Sequence, residues 1–188
     1  MRGRSVNQIR DPGPRARAFT LIEVCVVVLI LGIASALILP EVTGQEDMSA
    51  AAAARTVMGD LLYAQNRAIA LQQYAYVVFN QAGQSYTLYD GTSAGPATTP
   101  LTHPINGINY VMTFGQAGPN NVASNVALGS VNFNGQSTIA FDETGVPYSY
   151  GSGTPPQTLT GTGTINLTSG SYSVTISVTQ DTGEITVN

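Results

Sequence analysis

One carboxylate stands where carboxylates are costly. Glu23 lies inside residues 19–39, a run in which nearly every other residue is apolar. In bilayer hydrocarbon such an acid costs roughly 2.5–3.5 kcal/mol on insertion scales, so it needs a partner or a purpose. The chemistry open to it is ion pairing: in low dielectric an unpaired carboxylate is expensive, whereas a charge-paired one is tolerated. Cys25, the sole cysteine, shares the run. It therefore excludes an intrachain disulfide and Cys-based zinc sites, and in apolar surroundings it behaves as a small hydrophobe.

The remaining chemistry-bearing motifs have plainer readings. Asp181-Thr182-Gly183 matches the aspartic protease triplet, and Asp142-Glu143-Thr144-Gly145 nearly does. A protease needs two such aspartates meeting on an apolar-flanked loop. One triplet at the tip of a polar hairpin reads instead as a β-turn, where Asp and Gly serve backbone geometry. Asp142 and Glu143 offer hard oxygen ligands for calcium, but two acids are few. His103, far from the cysteine in a Thr- and Pro-rich loop, reads as solvated. Asn166-Leu167-Thr168 fits the N-glycosylation pattern and reads as a strand. HExxH and phosphate-loop motifs are absent and no serine has an evident base. No enzyme activity, cofactor or metal is expected.

The elements that must position Glu23 follow from composition. At 188 residues the chain is long enough for one domain with a core plus an appendage. Hydrophobic residues make up 43% and charged residues only 10%, with 20 glycines, which suits an extracellular, turn-rich β domain better than a cytosolic enzyme. Five arginines against one aspartate give residues 1–18 a net charge of +4, while the remainder carries two arginines against ten acids, −8. The positive-inside rule keeps such a basic end in the cytoplasm and sends the rest outward. The acidic remainder, lacking lysine altogether, is a poor match for a nucleic-acid backbone.

Residues 1–18, with Pro12, Gly13 and Pro14 beside the arginines, read as a basic, unstructured leader. Residues 19–39 are membrane-length: as a helix they span ~31 Å. Pro40 then removes a backbone donor and predicts a kink. Helix is predicted to resume through residues 40–72, with Val57, Leu61, Ala64, Ala68 and Leu71 on one buried stripe. Arg55, Asp60, Gln65 and Arg67 are expected to stay largely wet. The reading is a single long helix bent at Pro40, its first half in lipid and its second half on a globular domain.

From residue 74 the hydrophobic period changes to two. Residues 74–79 and 85–90 flank a Gly83-containing loop and predict a hairpin. Further short strands are expected within 108–114, 121–133 and 138–141, and 92–104 reads as a loop. The clearest alternation sets Tyr172, Val174, Ile176 and Val178 inward against serine and threonine outward. With 163–167 and 184–187 it predicts a three-stranded antiparallel meander. The fold class is α+β, a long N-terminal helix packed on an antiparallel β domain at 73–188.

The stretch AFTLIEVCVVVLILGIASALILPEV resembles the class III signal of type IV pilins and of the pseudopilins of type II secretion. The resemblance implies cleavage by a prepilin peptidase between Ala18 and Phe19, N-methylation of Phe19, an assembly role for Glu23 and a helix kink at Pro40. The family usually has Gly where this chain has Ala18. ARTVMGDLLYAQNRAIALQQYAYVVF resembles the helix-to-strand passage of GspH/FimT-type minor pseudopilins, and IAFDETGVPY with GTINL and YSVTISVTQDTGEITV resembles their C-terminal strands.

These likenesses imply a minor subunit of a type II secretion pseudopilus, held in the bacterial inner membrane before assembly, N-terminus inside and β domain periplasmic. Implied partners are the prepilin peptidase, other pseudopilins or pilins, and an inner-membrane assembly platform with its ATPase. No nucleic-acid partner is expected. A minor pilin of a type IV pilus is the near alternative. A secreted adhesin or carbohydrate-binding domain is the distant one, suggested by Tyr148, Tyr150 and the glycines around them. Ala34-Ser35-Ala36 would serve as an ordinary signal-peptidase site, giving a mature start near Leu37, but the length of the apolar run and its acid argue against it.

Overall fold

The computed structural model describes residues 19–38 and 45–188, and the chain divides into two compact units, Met1–Thr43 and Gly44–Asn188. The leader, Pro40 and the continuity of the two helices lie outside the described residues.

Helix α1 (Leu21–Ile38) starts where Thr20 caps it. The amides of Glu23 and Val24 donate to the Thr20 carbonyl at 3.1 and 3.2 Å, and the Glu23 amide also reaches Thr20 Oγ1 at 3.3 Å. Thr with Glu three residues later is the capping-box pair, so Glu23 also suits the positive end of its own helix. The 18 residues of α1 rise about 27 Å, short of the roughly 30 Å of a bilayer core. Among the described residues no helix is long and apolar enough to cross a membrane. The run read from sequence extends beyond the described helix, from Phe19 to Leu39.

The second unit is built on α2 (Gln45–Leu71), whose first turn carries Glu46 and Asp47 at the positive helix end. Ala50, Ala53, Ala54, Val57, Leu61, Ala64 and Ala68 are all fully buried along it. Five of those seven are alanines, which let strands approach the helix axis closely. The helix stops at Gln72, whose φ of 52° is left-handed, and the Gln73 amide turns back to the Ala68 carbonyl at 3.2 Å.

Twelve strands follow: β1 (Tyr74–Asn80), β2 (Ser85–Thr92), β3 (Gly95–Pro96), β4 (Val111–Phe114), β5 (Asn121–Ala123), β6 (Ala127–Asn132), β7 (Thr138–Phe141), β8 (Pro147–Ser149), β9 (Gln157–Thr158), β10 (Gly163–Ser169), β11 (Tyr172–Val178) and β12 (Ile185–Val187). The larger sheet runs β5-β4-β2-β1-β7-β8-β9, with β3 on β2, and the smaller runs β12-β11-β10-β6. The predicted hairpin is β1–β2, in register from Tyr74↔Gly91 to Asn80↔Ser85. The predicted meander is β10–β11–β12. Ala75, Val77 and Phe79 of β1 join Ile165, Leu167, Val174, Ile176 and Val178 of the smaller sheet in one core against α2. The α+β architecture is thus a helix packed on an antiparallel-rich β domain.

Several expectations are corrected. β4 and β5 pair in parallel, the exception to the antiparallel rule of the other ladders. The stretch 121–133 is two strands, β5 and β6, in different sheets. Tyr172 opens β11 beside the Gly170 turn and is 44% exposed, so the inward row begins only at Val174. Asp60, Gln65 and Arg67 are half-buried, because polar groups of the β domain reach up to them.

Candidate functional site

In α1 every described side chain through Ser35 is exposed except that of Ala34, which is half-buried. Leu21 is 82% and Phe19 78% exposed. A helix apolar on all sides is made for burial in lipid or in a bundle of helices. Phe19, Glu23, Val24, Val27 and Val28 line one shallow groove on this helix. Phe19, two residues ahead of the helix, lines this groove together with Glu23. Cleavage before Phe19 would therefore put a new amine and the carboxylate on the same side of the helix end. Cys25 is exposed on the same element.

Within the β unit the polar side chains serve α2's attachment. The hydroxyl of Tyr86 donates to Asp60 Oδ2, and that of Tyr110 donates to Asp60 Oδ1 at 2.9 Å. Burial pushes the Asp60 carboxyl above its ordinary value, against the opposing pull of both tyrosine bonds and of His103. Burial likewise pushes the Tyr86 hydroxyl well up, with the charge of Asp60 adding to it. His103 packs at a tilt of 59° on Tyr110 with ring centroids 4.3 Å apart, and its Nδ1 accepts from the Ile105 amide at 3.2 Å. It is half-buried rather than solvated. Arg67 grips Asp90 with two bonds, Nε to Oδ1 at 2.7 Å and a terminal nitrogen to Oδ2 at 2.8 Å. The sequence signal for Asp60 was available: tyrosines at inward strand positions need a hydroxyl partner.

The two protease-like loops do come together, but through their glycines. Gln65 Nε2 donates to the carbonyls of Gly145 at 2.9 Å and Gly183 at 3.3 Å. A Cβ on Gly183 would sit 2.7 Å from the Gly145 carbonyl, and both glycines have left-handed φ, 86° and 65°. Asp142 Oδ1 accepts from the Thr144 amide at 2.9 Å, the Thr144 hydroxyl at 2.7 Å and the Val146 amide at 2.9 Å. That oxygen closes its own turn. Among the described residues no three His, Cys, Asp or Glu side chains are grouped to hold a metal. Asn166 lies in β10, donating to Ser173 Oγ at 2.8 Å across the ladder. Tyr148 lies in β8, and Tyr150 just after it packs edge-on to Tyr76, centroids 5.2 Å apart.

Residues 13–39 match the family model described as the prokaryotic N-terminal methylation motif. The chain thus carries that methylation motif at its N-terminal end. Comparison with curated proteins finds no match. Among solved structures the chain is similar to the type IV minor pilin FimU of Pseudomonas aeruginosa in two crystal forms. In the first, identity is 14% over 74% of this chain and 87% of FimU, with a TM-score of 0.47. In the second, identity is 12% over 72% and 90%, with a TM-score of 0.46.

Proposed function

We propose that the protein is a minor structural subunit of a pilin-type fibre, processed by prepilin peptidase and assembled through its N-terminal helix. One observation carries this reading: α1 is apolar on every face and bears a single acid in its first turn. Hydrolysis of the Ala18–Phe19 bond releases a cationic amine at Phe19, which the same enzyme class then methylates. In a stack of such helices, Glu23 of one copy can pair with the Phe19 amine of the next. Pairing relieves the carboxylate of its cost in low dielectric, so one axial offset is favoured over the others.

The system we assign is the type II secretion pseudopilus, with the inner membrane as the holding place before assembly and with ATP hydrolysis supplied by the assembly platform. The same residues serve a minor pilin of a type IV pilus equally well. The role is structural rather than catalytic. Nor is nucleic acid a proposed partner: of the β unit's two arginines, Arg67 is committed to Asp90 and Arg55 stands alone on the exposed side of α2. Glu23→Ala tests the pairing. The variant is expected to be cleaved as usual and to accumulate in the membrane without entering fibres; normal incorporation would falsify the proposed pairing.

A further inference from the structure

The face of the larger sheet turned away from α2 is made of tyrosine. Tyr74 and Tyr76 alternate along β1 with the core residues Ala75 and Val77, and Tyr148 and Tyr150 alternate with the buried Ser149. Register sets Tyr89 opposite Tyr76, and Ala140 between Tyr76 and Tyr148. Ala140 is fully buried at that position. Tyr74 lies 6.2 Å from Tyr76 and 6.1 Å from Tyr148, centroid to centroid. Five of the nine tyrosines thus share one face, too many for incidental placement. Tyr76 is the fixed foundation: it is fully buried and its hydroxyl donates to the Thr92 carbonyl at 2.5 Å. Tyr74, Tyr89, Tyr148 and Tyr150 remain partly open.

Two shallow clefts of about 330 Å³ each adjoin at Gly91 and Thr92. The first is walled by Tyr74 and rimmed by Gln72, Gln73, Ser93 and Glu143, and the second is walled by Tyr150. Gly91 forms their shared floor, where a Cβ would stand 2.5 Å from both the Tyr76 ring and the Gly95 carbonyl. Volumes of this size fall at the lower end of small-molecule sites, roughly 300–1,000 Å³.

Rim chemistry narrows the occupant. Asp142 and Glu143 lie close enough to Tyr74 to raise its hydroxyl's pKa, after burial, so an anion is repelled. An apolar segment would leave the rim amides and hydroxyls unpaired at a cost. A neutral polyhydroxyl ligand satisfies both conditions, laying C–H faces on half-open rings and offering hydroxyls to Gln73, Ser93 and Glu143. We propose that the tyrosine face of the larger sheet is a binding site for a neutral oligosaccharide, centred on Tyr74 and Tyr150 with Gln73 on its rim. This site is separate from the assembly helix and does not depend on the fibre reading.

The chain has no tryptophan, so its intrinsic emission is that of its nine tyrosines, five of them on this face. Detergent-solubilised full-length protein would be titrated with cellotetraose, chitotetraose and maltotetraose, with tetra-arginine as the cationic rival. A saturable change with at least one sugar is expected. It should vanish in Tyr74→Ala, weaken roughly fivefold in Gln73→Ala, as for one lost hydrogen bond, and persist in Tyr172→Ala on the other sheet. Gln73→Ala alters only a rim side chain and so remains decisive should Tyr74→Ala fail to fold. No saturable response to any of the three sugars, a response unaltered by Gln73→Ala, or saturation by tetra-arginine alone would overturn the proposal.

Discussion

Glu23 and Asp60 are both carboxylates on helices, and their surroundings set opposite tasks. Glu23 is exposed on α1, with no hydrogen-bonding partner for its carboxylate among the described residues beyond the favourable end of its own helix. Asp60 already has its partners, the hydroxyls of Tyr86 and Tyr110, and sits deep enough for burial to outweigh them. Its folded-state pKa lies above the ordinary 3.8, so the folded protein holds that proton more tightly than the unfolded chain. The stabilisation tied to this proton is complete below about pH 3.8 and is lost as pH rises through the folded-state value. Asp60→Asn removes the titration while keeping an acceptor for a tyrosine. Its Tm relative to the parent protein is therefore expected to climb as pH rises from about 4 through the folded-state pKa of Asp60. A relative Tm that instead drops over that interval would mean the tyrosines favour the charged carboxylate.

Among the elements, α2 organises the β unit because it is narrow where the strands cross it. Ala64 and Ala68 are fully buried at one helical turn's spacing, and Ala50, Ala53 and Ala54 do the same near the start. Ala64→Leu adds three carbons to a face with no spare volume and is expected to cost about 1–3 kcal/mol by overpacking. Chemical denaturation would measure it, and an unchanged midpoint would show that the helix does not press on the sheets there. Val57, Leu61, Ala64 and Ala68 were legible beforehand because a 3.6-residue period needs only local sequence, whereas Leu71, read onto the same stripe, is 49% exposed at the helix end. The β1–β2 hairpin and the β10–β12 meander were legible for the same reason, with period two and short turns. What escaped notice depends on distant partners. β3 and β9 are two residues each and exist only because β2 and β8 offer them an edge. The parallel β4–β5 pair has no local signature. Asp60, Gln65 and Arg67 look solvent-facing on a helical wheel and are claimed by groups 80 or more residues away in the case of Gln65, and by Tyr86, Tyr110 and Asp90 in the others.

At the scale of the molecule, two units with different surfaces share one chain. Residues 45–188 bury their apolar side chains in a core of their own, whereas α1 buries almost none of its apolar surface. A chain that solves one hydrophobic problem internally and leaves another open requires an outside partner for the second. Lipid first and neighbouring helices later would satisfy it in turn. The methylation motif at residues 13–39 coincides with this open element, so signature and physics point to the same stretch. That coincidence is what the account rests on, and it makes the position of the mature N-terminus its sharpest consequence. Mass spectrometry of the protein purified from its native membranes measures it directly. The account predicts a chain beginning at Phe19 with a methylated amine and with Glu23 retained. A chain that keeps its arginine-rich leader, or one that starts near Leu37 with the apolar helix removed, would contradict it.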